Sequence, residues 1–154
     1  MTYSLDENQM GLFDTEEQVK DTDATVVDTD IKEELVRGLW TQAEWLSPVI
    51  QGGPTRQEIE EWKDRYGNVY FTPFEGETFI WRTLGRGEYR ELIRDTNLTM
   101  LDREERITDK CVLFPRNFSC ETYTKTGKAG VPSLLSEMIM DKSGFVAQSA
   151  PIKL

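Results

Sequence analysis

Apolar and polar residues recur at helical spacing in two segments of the first half of the chain. Between Ile31 and Leu46 the apolar side chains return every three or four residues, which predicts an amphipathic helix with Asp30 as its N-cap. Proline and glycine at residues 48–54 predict a loop. The next four residues, 55–58, match a capping box and predict a second helix that ends near Gly67.

After Gly67 the pattern changes to the alternation of a β-hairpin. Val69, Phe71 and Phe74 begin the alternation, and Phe79 and Trp81 continue it beyond the turn residues Glu-Gly-Glu at 75–77. We therefore expect a hairpin over residues 68–82. Because two strands alone are marginally stable, helices must cover one of their faces.

Three further helical patterns follow the hairpin. The first begins at Gly85 to Gly87, with Tyr89, Leu92, Ile93 and Thr96 on one face. The second has Thr99 as N-cap and ends before Pro115. Its apolar stripe is predicted to consist of Leu101, Ile107, Cys111 and Phe114. The third begins around Pro132 and ends at Ser143-Gly144, with Phe145 folding back onto it.

These elements predict an α+β fold, a small and mostly helical domain with one β-hairpin. A chain of 154 residues with 38% apolar content suits one such domain. We expect it to span residues 31–145. Residues 1–30 are predicted to form an acidic, flexible leader, and residues 146–154 a C-terminal tail.

The negative charge is concentrated in the leader. Residues 1–30 contain nine of the 28 acidic residues and one of the 18 basic residues, a net charge of -8 out of -10. The rest of the chain is therefore nearly neutral. This distribution disfavours non-specific binding to nucleic acid, since phosphates would be repelled. The leader has two interpretations, a solvated flexible segment or an arm that orders against a partner.

The side-chain chemistry argues against an enzyme. Without histidine, the chain lacks His-dependent nucleophile pairs, histidine bases and most zinc sites. Cys111 fits a buried helical position, and Cys111 and Cys120 are expected to be reduced rather than joined. Gly85 and Gly87 are not followed by the third glycine of a dinucleotide-binding loop, and the chain has no Gly-Lys-Ser/Thr sequence. We expect no catalytic, cofactor-binding or metal-binding residues, no cofactor and no membrane span.

Two groups of residues are candidates for contact with a protein partner. The first is the apolar face of the predicted 31–46 helix, for which packing onto the chain's own core is the alternative. The second is an arginine stripe at four-residue spacing, for which a salt-bridged surface or contact with the acidic leader are the alternatives. The candidates are Leu35, Leu39, Trp40, Trp45, Arg86, Arg90 and Arg94.

Several short motifs, in order and spacing, resemble the tail assembly chaperones of contractile-tailed bacteriophages and the related baseplate hub assembly proteins. The motifs are Glu61-Trp62-Lys63, Tyr66-Gly67-Asn68-Val69-Tyr70, Phe79-Ile80-Trp81-Arg82, Glu88-Tyr89-Arg90, Glu105 to Leu113-Phe114-Pro115, Gly130-Val131-Pro132, Leu135 and Ser143-Gly144-Phe145. The resemblance implies a non-enzymatic protein in the host cytoplasm. Such a protein holds the tape measure, hub or tube components until the tail assembles.

Two other functions are compatible with the sequence. A structural subunit of the tail or baseplate would remain in the virion. An acidic inhibitor of a nucleic-acid-binding enzyme would need carboxylates spread over a rigid surface, whereas here they are concentrated in the leader. The sequence leaves self-association open.

Overall fold

The computed structural model describes residues 32–146 and 149–154, so the predicted leader lies outside the described residues. The contacts divide the chain into two units, Met1–Thr41 and Gln42–Leu154. In the described part of the first unit, a tight turn joins Val36 to Trp40. The Val36 N–H donates to the Trp40 carbonyl at 2.7 Å, and the intervening Arg37 and Gly38 have φ of 53° and 69°.

The predicted helix over residues 31–46 is therefore wrong for residues 32–41. Its periodicity is real, but Gly38 weakens a helix and takes a left-handed conformation that a right-handed helix excludes. Only Gln42–Leu46 is helical, as a short helix α1 in the second unit.

The described part of the second unit is α+β, with six helices and a three-stranded antiparallel sheet. After α1 come α2, β1, β2, α3, α4, β3, α5 and α6. Their bounds are α2 Arg56–Tyr66, β1 Val69–Phe74, β2 Glu77–Arg82, α3 Arg86–Arg94, α4 Met100–Cys111, β3 Val112–Phe114, α5 Cys120–Tyr123 and α6 Val131–Lys142.

The caps predicted at Thr55 and Thr99 are confirmed, whereas Asp30, the cap predicted for the first helix, lies outside the described residues. The Glu58 N–H donates to the Thr55 hydroxyl at 3.2 Å, and the Thr55 N–H donates to the Glu58 carboxylate at 2.9 Å. Thr99 and Asp102 make the same reciprocal pair at the start of α4. Each box satisfies backbone donors that have no partner within the helix.

The hairpin is also confirmed, and a third strand extends it. In the hairpin β1 pairs with β2 from Val69–Arg82 to Phe74–Glu77, and the turn residues Glu75 and Gly76 have φ of 35° and 90°. The third strand, β3, pairs with the other edge of β2. Phe114 therefore belongs to a strand, and its prediction as part of a helical stripe is wrong because α4 ends at Cys111.

One face of the sheet packs on the helices to form the core. Phe79 and Trp81 point into it, and the Trp81 indole stacks on Tyr70 with ring centroids 4.7 Å apart. The buried members of this core are Phe79, Trp81, Leu84, Leu92, Ile107, Cys111, Val131, Leu135 and Ile139.

Two details of the predicted helices differ from the structure, and one agrees. Leu101 is 64% exposed and Ile93 40% exposed, so neither joins the buried stripe of its helix. Phe145 does fold back after α6, because its N–H donates to the Met140 carbonyl and its ring lies 4.5 Å from that of Tyr89.

The opposite face of the sheet carries Val69, Phe71, Ile80 and Arg82, because paired residues share a face. Arg82 lies under the end of α2, with its guanidinium 4.5 Å from the centroid of the Tyr66 ring. The α2 helix therefore covers part of this second face.

Candidate functional site

An apolar groove of about 330 Å³ lies on the second face of the sheet. Ile80 of β2 forms its floor, since this side chain is only 2% exposed. One side is made by Val49 and Ile50 of the loop before α2, and another by the first turn of α2, which contributes Arg56 and Ile59. The remaining lining comes from β1, namely Val69 and Phe71 on this face and the intervening Tyr70, whose ring stacks on Trp81 on the core face.

The loop beside the groove is held closed by its own backbone. The Val49 N–H donates to the Pro54 carbonyl at 2.9 Å, and the Arg56 N–H donates to the Ser47 carbonyl at 3.1 Å. At its tip, Gly53 packs so closely on Ile50 that a Cβ would lie 2.2 Å from that side chain. The glycine thus lets Ile50 fold inward and line the groove.

A salt bridge holds the start of α2 in position beside the groove. The Arg116 guanidinium contacts both oxygens of the Glu58 carboxylate, at 2.8 and 2.9 Å. Partial burial raises the pKa of Glu58, but the hydrogen bonds from Thr55 and Arg116 lower it more, so the net shift is downward. The carboxylate that closes the capping box therefore also fixes α2 to the segment after β3.

Large apolar side chains around the groove are open to solvent. Phe71 is 52% exposed and Val49 37% exposed. An exposed aromatic side chain beside an open apolar groove is typical of a protein-binding surface. The arrangement can bind apolar side chains of a partner.

The predicted contact residues lie in several places. In the first unit, Leu35 and Leu39 are 45% and 67% exposed, and Trp40 is half-buried. In the second unit, Trp45 is buried, so it acts there as a packing residue, and its neighbour Leu46 presents the exposed surface instead.

The arginine stripe lies exposed on α3. The Arg94 guanidinium pairs with the Glu91 carboxylate at 2.8 Å, and the Arg86 guanidinium lies 5.9 Å from the centroid of the Tyr89 ring.

The groove lining that the structure describes contains none of Trp45, Arg86, Arg90 and Arg94. The residues predicted from the sequence for partner contact include none from β1. The alternation of β1 is the signal that places Val69 and Phe71 opposite the core face.

Both cysteines are free and buried. Burial raises the pKa of the Cys111 thiol to about 11. Burial and the neighbouring Asp109 carboxylate also raise the pKa of Cys120, whose N–H donates to Asp109 at 2.7 Å. Because the thiolate is the reactive form, neither side chain is suited to nucleophilic chemistry near neutral pH.

A thiol-modification assay tests this description of the cysteines. At pH 8, Ellman's reagent is expected to modify both thiols on the order of 100-fold more slowly in the native protein than in urea, since burial and raised pKa values suppress the thiolate. The rate is followed by absorbance, with free cysteine as the reference. A thiol in the native protein that reacts as fast as free cysteine would contradict the buried placement.

Residues 32–146 and 149–154 contain no group of three or more Cys, Asp or Glu side chains arranged to hold a metal ion. Within the same residues, no helix has both the length and the apolar character needed to cross a bilayer.

No family model, curated protein or solved structure matches this chain.

Proposed function

We propose that this protein is a non-enzymatic assembly chaperone of a contractile phage tail. It binds the tape measure, hub or tube components in the host cytoplasm and releases them when the tail or baseplate assembles. The proposal is supported by the sequence resemblance described above. The structural observation that carries it is the apolar groove with Phe71 and Val49 exposed at its edge.

A holding chaperone needs an apolar surface that a client can cover and enough charge to keep the complex in solution. The groove and its exposed neighbours supply the first requirement. The chain supplies the second, because 30% of its residues are charged and its net charge is -10. No bound nucleotide is needed for binding and release of this kind, since the assembling tail can compete for the client by mass action.

Pull-down from bacteria producing the phage that encodes this chain tests the proposal. The tagged protein is expected to capture tape measure, hub or tube proteins before assembly, identified by mass spectrometry. Phe71→Thr should reduce this capture at least about fivefold, because it removes an exposed aromatic while keeping a β-branched residue in the strand. Leu134→Gln is the matched control, since Leu134 is 48% exposed on α6, away from the groove lining.

Three outcomes would contradict the proposal. The first is capture of no tail protein, and the second is an equal loss of capture in Phe71→Thr and Leu134→Gln. The third is the protein's presence in purified virions at a fixed ratio to tail subunits, which would make it a structural component instead.

A further inference from the structure

The edge of β2 that faces β3 is paired along only part of its length. β3 has three residues, and its pairing with β2 involves Ile80 and Trp81 alone. β2 begins at Glu77, so its first three residues extend beyond the paired part of this edge. Pro115 follows β3 directly and has no N–H with which to continue the ladder. Within the described residues, the first half of β2 therefore lacks a neighbouring strand on this side.

Thr78 directs its backbone N–H and carbonyl toward this open edge. The hairpin turn has two residues, so Phe74 and Glu77 beside it form a hydrogen-bonded pair. Because bonded and non-bonded pairs alternate, Thr78 and Pro73 form a non-hydrogen-bonded pair, which suits a proline without an N–H. In the described part of the chain, no loop or side chain bonds these two groups of Thr78 in place of β3. One donor and one acceptor are thus available at the same residue.

Thr78 lines a cavity of about 470 Å³ at this edge, which we call the β2 notch. The lining of the notch comes from residues 76–79, 114–115 and 50–51, together with Tyr123 of α5. The Tyr123 hydroxyl donates to the Glu77 carboxylate at 2.7 Å and so holds α5 beside the hairpin. Ile50 is the residue that the notch shares with the apolar groove, and the other lining residues of the two cavities differ.

An extended backbone is the occupant that satisfies both groups of Thr78 at once. A residue in the β conformation can donate its N–H to the Thr78 carbonyl while its own carbonyl accepts the Thr78 N–H. A helix uses its backbone groups for its own hydrogen bonds and cannot form such a pair. Ile50, Phe114 and Pro115 supply apolar surface for the side chains on either side of the paired residue.

We propose that the β2 notch binds an extended segment of a partner protein, which pairs with Thr78 and continues the line of β3. The backbone hydrogen bonds recognise the extended chain, and the apolar lining adds contact area. The segment makes one hydrogen-bonded pair, because Phe114 closes one end of the notch and the hairpin turn closes the other. This inference goes beyond the proposed function and does not depend on it, since it concerns a different surface.

Peptides that differ only in backbone N-methylation test the proposal. Three labelled peptides of about nine residues share an alternating Thr-Val sequence, which favours an extended chain. The first is unmethylated, the second is N-methylated at every second residue, and the third is N-methylated at every residue. Alternate methylation leaves one edge of the extended chain intact, because every second N–H points to the same edge.

Fluorescence anisotropy with the full-length protein measures the three affinities. The first two peptides are expected to bind with similar affinity. The third should bind at least about tenfold more weakly, since it has no N–H to donate to the Thr78 carbonyl. Loss of binding in both methylated peptides would overturn the proposal, because a helix or a segment paired along both edges would behave in that way.

Amide hydrogen exchange, followed by NMR, locates the bound peptide. In the free protein the Thr78 N–H is expected to exchange at least about 100-fold faster than the Ile80 N–H, which lies in the paired part of the edge. Saturation with the second peptide should slow exchange at Thr78 at least about tenfold and leave Ile80 unchanged. Slow exchange at Thr78 in the free protein would show that its N–H is already paired and would overturn the proposal.

A proline variant removes the donor from the protein side. Thr78→Pro should weaken binding of the second peptide at least about tenfold, and it keeps the hairpin because the Thr78 N–H takes no part in pairing with β1. Leu134→Gln is the control, since Leu134 is exposed on α6 and should leave the affinity unchanged. Circular dichroism and thermal melting confirm that both variants are folded.

Equal binding of all three peptides, or binding of none, would overturn the inference. Loss of peptide binding in Phe71→Thr but not in Thr78→Pro would also overturn it, because the peptide would then occupy the apolar groove. Slower exchange at Thr78 on raising the protein concentration alone would identify a second copy as the occupant instead of a partner protein. The proposed function is judged separately, by the capture of tail proteins and its loss in Phe71→Thr, since Phe71 lies outside the notch lining.

Discussion

Phe79→Ala is expected to lower the free energy of unfolding by about 3–5 kcal/mol. The Phe79 side chain is 1% exposed and lies in the middle of the core. Its ring makes edge contacts with Phe74, Phe118 and Tyr123, with centroids 5.7–5.9 Å apart. Truncation removes those contacts and leaves a cavity that the surrounding elements fill only in part.

Phe71→Ala is the matched control, since it makes the same change on the other face of the hairpin. Phe71 is 52% exposed, so its loss should cost less than about 1 kcal/mol. Urea denaturation followed by tryptophan fluorescence measures both variants. A similar cost for the two substitutions would show that Phe71 is a core residue and would remove the main support for the binding groove.

Glu88→Gln is expected to cost about 2–3 kcal/mol at pH 7, because it leaves a buried arginine without its counter-charge. Arg82 is 8% exposed, and its two terminal nitrogens donate to the two Glu88 oxygens at 2.8 and 2.9 Å. Glu88 also accepts the Gly85 N–H at the start of α3. One carboxylate thus joins β2 to α3 and caps that helix.

The cost of Glu88→Gln should depend on pH. The hydrogen bonds from Arg82 lower the pKa of Glu88 below its ordinary value of 4.5, against the opposing effect of burial. A lowered folded-state pKa contributes stability above the unfolded-state pKa, and this contribution is lost as the pH falls through the folded-state pKa. The difference between wild type and variant should therefore be constant near pH 7 and shrink below pH 4.5.

Urea denaturation at several pH values measures this difference. Glu91→Gln on the same helix serves as the control, because Glu91 and its partner Arg94 are 60% and 67% exposed. Exposed pairs of this kind contribute less than about 1 kcal/mol. A cost of Glu88→Gln that stays unchanged down to pH 3 would mean that packing, and not charge, is responsible.

The features that sequence predicts well here are local ones. Both capping boxes depend on residues three positions apart, and the hairpin turn depends on adjacent residues, so their signals lie within a short window. The helix prediction for residues 32–41 was wrong because the apolar residues have helical spacing, while Gly38 adopts a left-handed conformation in a turn. Periodicity alone does not detect that single conformational choice.

The groove was harder to predict because its parts are distant in sequence. Val49 and Ile50 belong to a loop, Arg56 and Ile59 to α2, and Ile80 to β2. The hairpin pattern does place Phe71 on the face opposite Tyr70. It does not show that α2 covers only part of that face and so leaves Phe71 exposed. The third strand was missed for a similar reason, since Val112–Phe114 is short and is fixed by pairing with β2.

The two outer strands of the sheet also limit how copies of this protein can stack on one another. β1 has Pro73 within it, and β3 has only three residues and is followed at once by Pro115. Unpaired strand edges otherwise act as templates for the growth of fibrils, and short or proline-containing edges prevent it. Within the residues that the structure describes, the sheet can therefore expose an aromatic side chain without offering a backbone ladder for aggregation.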